Sequence, residues 1–312
     1  MKLDAHVHTH YSGNTTIKYL DRIMKESYST PEKLYRLAKS RGMDLVTITD
    51  HDSVSGVLTI ADRPDVIVGC EITARFPEDG TIGHIGVLGI SEAQHREAQN
   101  LRRNVHELVR YLKDQHIFST LNHLASLSAG RLTAAHIFSI LPWIEAIEIR
   151  NGTRLTCQNR TAAALARAHD KVTVAGSDSH TYRGIGKTYM VCDNATNREE
   201  FLFELRQGRV RVEGREGGFL TLASDIVRVT ANFYKDGIRM LIDAPLDWKR
   251  QLRVACTTVG LPLTAVGLIG AFIHFIQDQR FNDELLLDLI ASRFDPLGDS
   301  VPVPVFESSV GA

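Results

Sequence analysis

Three histidines, His6, His8 and His10, fall within five residues of the stretch DAHVHTHYSGN, residues 4–14. In an extended strand, residues two apart point to the same side, so His6 and His8 can grip one cation together. The spacing returns far along the chain in GSDSH, where Asp178 and His180 are also two apart, just beyond an apolar run. Imidazole and carboxylate are the donors that suit zinc, manganese and iron. Between these stretches, GCEITA sets a single acid, Glu71, inside an apolar strand, and ITDHD places His51 between two acids. A buried lone carboxylate is costly. Bridging two cations relieves that cost; a partner arginine or a shifted pKa is the other way out. Asp50 and Asp52 are suited to hold the His51 imidazole from behind by hydrogen bonds. An isolated HxH pair is a weak signal, and His10 stays open between a site role and a loop facing solvent.

The elements around these residues add the weight. KLDAHVH, DLVTIT, DVIVGCEITA, HIGVLGI, IFSTLNH, IEAIEIRN and KVTVAGSDSH read as seven short strands. Helical stretches alternate with them: one begins at Thr30-Pro31 and stops at Gly42, and others cover about 92–115, 133–141 and 157–169. This alternation predicts a parallel α/β architecture, and a count near seven predicts a (β/α) barrel. Nearly every strand meets a ligand-type residue. The first ends in His6 and His8, the second in His51 and the third in Glu71; His84 opens the fourth, His123 ends the fifth, and Asp178 and His180 follow the seventh. Barrels gather such strand ends on one face.

With these motifs in place, the chain resembles the PHP (polymerase and histidinol phosphatase) family of metal-dependent phosphoesterases. DAHVHTHYS, ITDHD, GCEITA, GHIGVLGI, NHLAS, EIRNG and GSDSH occur in the family's order over about residues 1–190. The resemblance implies a distorted (β/α)7 TIM-like barrel holding two or three divalent ions, zinc, manganese or iron. It implies that His6, His8, Glu71 and Asp178 hold the first ion, and that Glu71 bridges to a second held with His84 and His123. His51 and His180 would belong to a third. Two departures stand out. NHL replaces the frequent NHP, and Gly13 stands where many three-metal members carry an acid, which leaves the third site in question.

The implied reaction is hydrolysis of a small phosphate ester (a nucleotide, cyclic nucleotide or sugar phosphate) by a hydroxide bridging two cations. Glu71, Asp178 and His180 form the catalytic set, with His180 or a bound water protonating the leaving oxygen. Arg150, Arg183 and Lys187 are candidates to grip phosphate. The competing readings are hydrolysis at carbon of the amidohydrolase type, a phosphoesterase of DNA ends, and a non-catalytic, membrane-tethered regulatory barrel. A formal net charge of −1 gives no global field for nucleic acid.

The metal motifs end before about residue 214, so the expected organisation is a barrel over 1–214, a helical segment over 215–295 and a flexible tail over 296–312. In the helical segment, Phe219, Ala223, Ile226, Phe233 and Leu241 share one face at helical spacing. Residues 254–276 carry no Asp, Glu, Lys or Arg; about 20 apolar residues cross a bilayer, so the run reads as membrane-associated, spanning or re-entrant, against a buried helix pair broken near Pro262. Lys249, Arg250 and Arg253 precede that run, while Asp278, Asp283 and Glu284 follow it. Positive-inside reasoning then predicts a cytoplasmic barrel attached to the inner face of a membrane. Four widely spaced cysteines and the absence of a leader-like stretch agree with a reducing compartment.

Overall fold

The computed structural model of the chain describes residues 1–15, 24–243, 248, 251 and 263–292. Nine strands form one sheet: β1 (Lys2–Asp4), β2 (Leu45–Ile48), β3 (Val66–Arg75), β4 (Ile82–Leu88), β5 (Phe118–Leu121), β6 (Ala146–Asn151), β7 (Val172–Gly176), β8 (Thr188–Val191) and β9 (Arg211–Gly214). Their order is β7-β6-β5-β4-β3-β2-β1-β8-β9. The helices are α1 (Pro31–Ser40), α2 (Ser55–Leu58), α3 (Glu92–Leu101), α4 (Val105–Asp114), α5 (Ala134–Ile140), α6 (Thr156–Ala168), α7 (Arg198–Arg206), α8 (Phe219–Asp243) and α9 (Leu263–Ala291).

The seven expected strands are all present, and the sheet nearly closes on itself. Beyond the strand ends, Ala5 N donates to Ala175 O (3.4 Å), Asp178 N to His6 O (2.7 Å) and His8 N to Ser179 O (3.1 Å). These bonds seam the end of β7 to the end of β1, while β8 pairs with the start of β1. Gly176 makes the seam possible, because a Cβ there would fall 2.3 Å from the Cβ of His6.

The expectation of a parallel barrel is corrected at two strands, and β8 is one of them, antiparallel to β1 and to β9. β4 runs antiparallel to both β3 and β5. A short turn joins β3 to β4, where a parallel step would need a crossover. Reversal turns the start of β4 toward the ends of its neighbours, which explains why His84 opens its strand. β8, β9 and α7 add to the seven expected strands and their helices; none of the expected ligands lies in them.

The barrel interior is apolar at one end and polar at the other. Leu3, Leu45, Ile67, Phe118 and Val174 pack with Phe201 and Leu205 of α7 in one buried cluster. Two and four residues beyond Ile67 on the same face come Gly69 and Glu71, so one strand carries both the floor and the site. The other face of the strands, including Val46, Ile48, Ile72 and Ile85, packs on helix residues such as Leu34, Leu108, Ile137 and Leu165.

After Gly214 the chain enters α8. Ala271, Phe281, Leu285 and Leu289 of α9 are buried. Asp278 accepts from Leu127 N (2.8 Å), Asp288 accepts from Ala134 N (2.7 Å), and Thr161 donates to Asn282 (2.8 Å). The Phe219 ring of α8 meets Phe272 and Phe275 edge-on. The uncharged run 254–276 lies outside the described residues up to 262, and from Leu263 it is the first half of α9. Among the described residues no helix is long and apolar enough to cross a membrane. From 263 on, the run belongs to a helix whose second half is charged and packs on the barrel. The expected tail 296–312 lies outside the described residues.

Candidate metal centre

His6, His8, Glu71 and Asp178 converge, each no more than 2% exposed. His6 Nε2 lies 3.0 Å from His8 Nε2, 3.2 Å from Glu71 Oε2 and 3.7 Å from Asp178 Oδ1. His8 Nε2 lies 3.5 Å from each of the same two oxygens. Four donors on a tetrahedron with bonds of about 2.1 Å have edges of about 3.4 Å. The five distances scatter around that length, so the donor set fits a first-row divalent ion.

Glu71 turns its second oxygen elsewhere. Oε1 is 3.0 Å from His123 Nε2, 3.4 Å from His84 Nδ1 and 2.9 Å from Asn122 Nδ2. A third group lies at the rim, where Glu26 Oε1 is 3.5 Å from His51 Nε2 and 3.4 Å from His180 Nε2. The other ring nitrogen of His51 is 3.2 Å from Glu71 Oε2. Nδ1 of His51, Nδ1 of His84 and Nε2 of His180 are buried without a well-formed hydrogen bond. Buried polar atoms left in that condition are expensive, and a cation relieves them together.

The electrostatics agree with a donor set. Burial opposes ionisation of Glu71, but His6, His84, His51 and His123 hold its carboxyl well below the usual range. Burial likewise opposes a charge on Asp178, and His6 and Arg154 overcome it. Burial, with His180 nearby, pushes His8 down to about 3, so its ring is neutral as a ligand must be. Burial also disfavours a charge on His6, yet Glu71 and Glu148 hold its pKa well above that of a free imidazole.

Residues 157–210 match the family model of the PHP-associated segment, and that stretch carries Asp178, His180 and the strand that leads to them. The match covers 54 of the 312 residues, and over that stretch the chain is similar to the PHP-associated family. An uncharacterized protein of Methanocaldococcus jannaschii is 32% identical over 77 residues, which are 23% of this chain and 44% of that protein. The chain thus matches less than half the length of this curated relative. Among solved structures, a two-domain protein of Bacteroides vulgatus containing a predicted PHP-like metal-dependent phosphoesterase shares the fold. It aligns with a TM-score of 0.51 at 16% identity, over 71% of this chain and 68% of that one. An amidohydrolase of Chromobacterium violaceum, solved with sulfate and no metal, gives 0.45 at 14% identity, over 67% of this chain and 97% of that one.

The eight expected ligands, His6, His8, His51, Glu71, His84, His123, Asp178 and His180, all come together in the barrel mouth. Other expectations change. Asp50 and Asp52 do not hold His51: Asp50 accepts from Thr9 and Ser12, and Asp52 from Thr73 N and Arg102. The acids flanking His51 brace the surrounding loops instead. His10 bonds the Ser29 carbonyl through Nδ1 (3.0 Å) and stays out of the cluster.

Of the three phosphate-grip candidates, none joins the histidines. Arg150 donates to Gly214 O (3.4 Å), and Arg183 bonds Ser224 of α8. Arg183 and Lys187 line a cavity of about 100 Å³ with Ser177, Ser179, Arg215 and Asp225. The guanidinium that does reach the cluster is Arg154, 2.9 Å from Asp178 Oδ2 and largely buried. Glu148 was also missed. It accepts from His6 Nδ1 (2.9 Å), from His123 N (3.0 Å) and from Asn151 Nδ2 (2.9 Å). Both sit in the AIEIRNGTR run that supplied a motif, so proximity to that motif was the available signal. Glu26 had none: it lies in a polar stretch between motifs.

Proposed function

We propose that this PHP barrel is a metal-dependent phosphoesterase that hydrolyses a small phosphate ester, of the nucleotide, cyclic nucleotide or sugar phosphate class. The observation that carries the reading is the division of Glu71, whose two oxygens face two different sets of imidazoles. A carboxylate so placed serves two cations at once. Divalent ions held there supply a water of lowered pKa and neutralise charge on phosphoryl oxygens.

The residues do the rest. Glu148 fixes the His6 ring so that Nε2 points at Glu71. Arg154, Asn151 and Thr153 occupy Asp178 Oδ2 and leave Oδ1 for the centre. Exposure marks the entrance: the side chains of His6, His8, Glu71 and Asp178 are sealed, whereas those of His51, His180 and Glu26 are 16, 21 and 24% exposed. Substrate approaches from that rim, where His180 or a bound water protonates the leaving oxygen. Near-neutral net charge favours a small ester over nucleic acid.

The test is a screen of metal-stripped protein, reloaded with manganese, zinc or iron, against nucleotides, cyclic nucleotides, sugar phosphates and amides. Phosphate release that needs metal and falls to background in Glu71→Gln is expected. Cleavage of amides alone, or activity and bound metal that survive Glu71→Gln, overturns the reading.

A further inference from the structure

The acid missing at Gly13 has a substitute in space. Gly13 adopts φ 85° and ψ −148°, a backbone region that side chains rarely enter. Its carbonyl accepts from Glu26 N (3.1 Å). The chain leaves the site after Gly13 and comes back alongside itself, with Thr15 N bonded to Met24 O (3.0 Å) and Asn14 paired antiparallel with Lys25. Glu26 therefore returns beside the position that the sequence leaves without a carboxylate. Ser27 locks the return, since its hydroxyl donates to His8 O (3.2 Å) and His180 O (2.9 Å). The segment is tied to two of the strand ends that carry ligands.

We propose that Glu26 is a metal ligand, and that with His51 and His180 it binds a third divalent ion at the rim. The inference rests on the reading of the centre as a two-ion site and extends it. The two measured edges, 3.5 and 3.4 Å, match the length expected for donors about 2.1 Å from one ion. The buried Nε2 of His180, which has no well-formed hydrogen bond, points to the same place. One nitrogen cannot both bind an ion and carry a proton. The two-ion form keeps His180 as an acid; in the three-ion form a bound water takes that role.

The experiment counts bound manganese and zinc per chain by elemental analysis, after stripped protein is reloaded and gel-filtered. Wild type is expected to hold three ions. Glu26→Gln should hold two, with an unchanged circular dichroism spectrum. Glu26→Asp, which keeps the carboxylate on a shorter stem, should bind the third ion more weakly than wild type and more tightly than Glu26→Gln; it serves if the Gln variant does not fold. Two ions in wild type, or three in Glu26→Gln, overturn the proposal and leave the two-ion reading standing. No bound ion in wild type overturns both.

Discussion

Glu148 sits at the bottom of the metal cluster and touches no candidate ion position, yet it fixes which nitrogen of His6 faces Glu71. A hydrogen bond from the remote ring nitrogen sets both tautomer and orientation. Glu148→Gln should therefore lower metal affinity by about 10–100-fold while the fold persists; calorimetric titration of the stripped protein with manganese checks this. His51 gives a second prediction. Burial lowers its pKa, but Glu71 and Glu26 raise it from 6.5 to about 9. A pKa raised in the folded state stabilises below 6.5 and loses that contribution as pH rises through 9, for a loss of up to ~3 kcal/mol. Metal binding needs the neutral ring, so it strengthens over the same interval. Melting curves should show the stripped protein weakening as pH rises from about 6.5 to about 9, while the gap between loaded and stripped protein widens. His6, His8, Asp178 and His180 were legible because a spacing of two has a meaning on its own. Glu148 was not, because its partner His6 lies 142 residues away. Glu26 acquires a role only through the turn at Gly13.

At the scale of elements, closure of the barrel depends on β7 reaching β1. Gly176 permits this, and two positions later Asp178 adopts φ 48°, in the left-handed region that costs most residues energy. Gly176→Ala would press a methyl group into the His6 backbone and side chain. Overpacking of this kind costs about 1–3 kcal/mol, and here the cost falls on the seam that aligns His6 with Asp178. A lower Tm together with weaker metal binding is expected, measured by thermal melts and metal titration of the same preparation. The strands themselves could be read from their apolar runs. The direction of β4 could not, because antiparallel and parallel strands share the same side-chain alternation; only the short connection from Arg75 to Ile82 distinguishes them.

For the whole molecule, α9 is the element whose sequence left most open. An uncharged stretch predicts either a buried or a membrane helix, and composition alone does not choose. The charged half decides from 263 on, because Asp278 and Asp288 bond backbone amides of the barrel side and Phe281 is buried between them. Phe281→Ala should cost about 3–5 kcal/mol and leave the metal count unchanged, since Phe281 is buried in the apolar cluster and makes no contact with a ligand atom among the described residues. A melt paired with elemental analysis separates these effects. The central claim concerns Glu71 as a bridge, and electron paramagnetic resonance of the manganese-loaded protein tests it most directly. A spin-coupled signal from paired ions, lost in Glu71→Gln, is the predicted result. A spectrum of isolated manganese only, in the wild type saturated with metal, would contradict it.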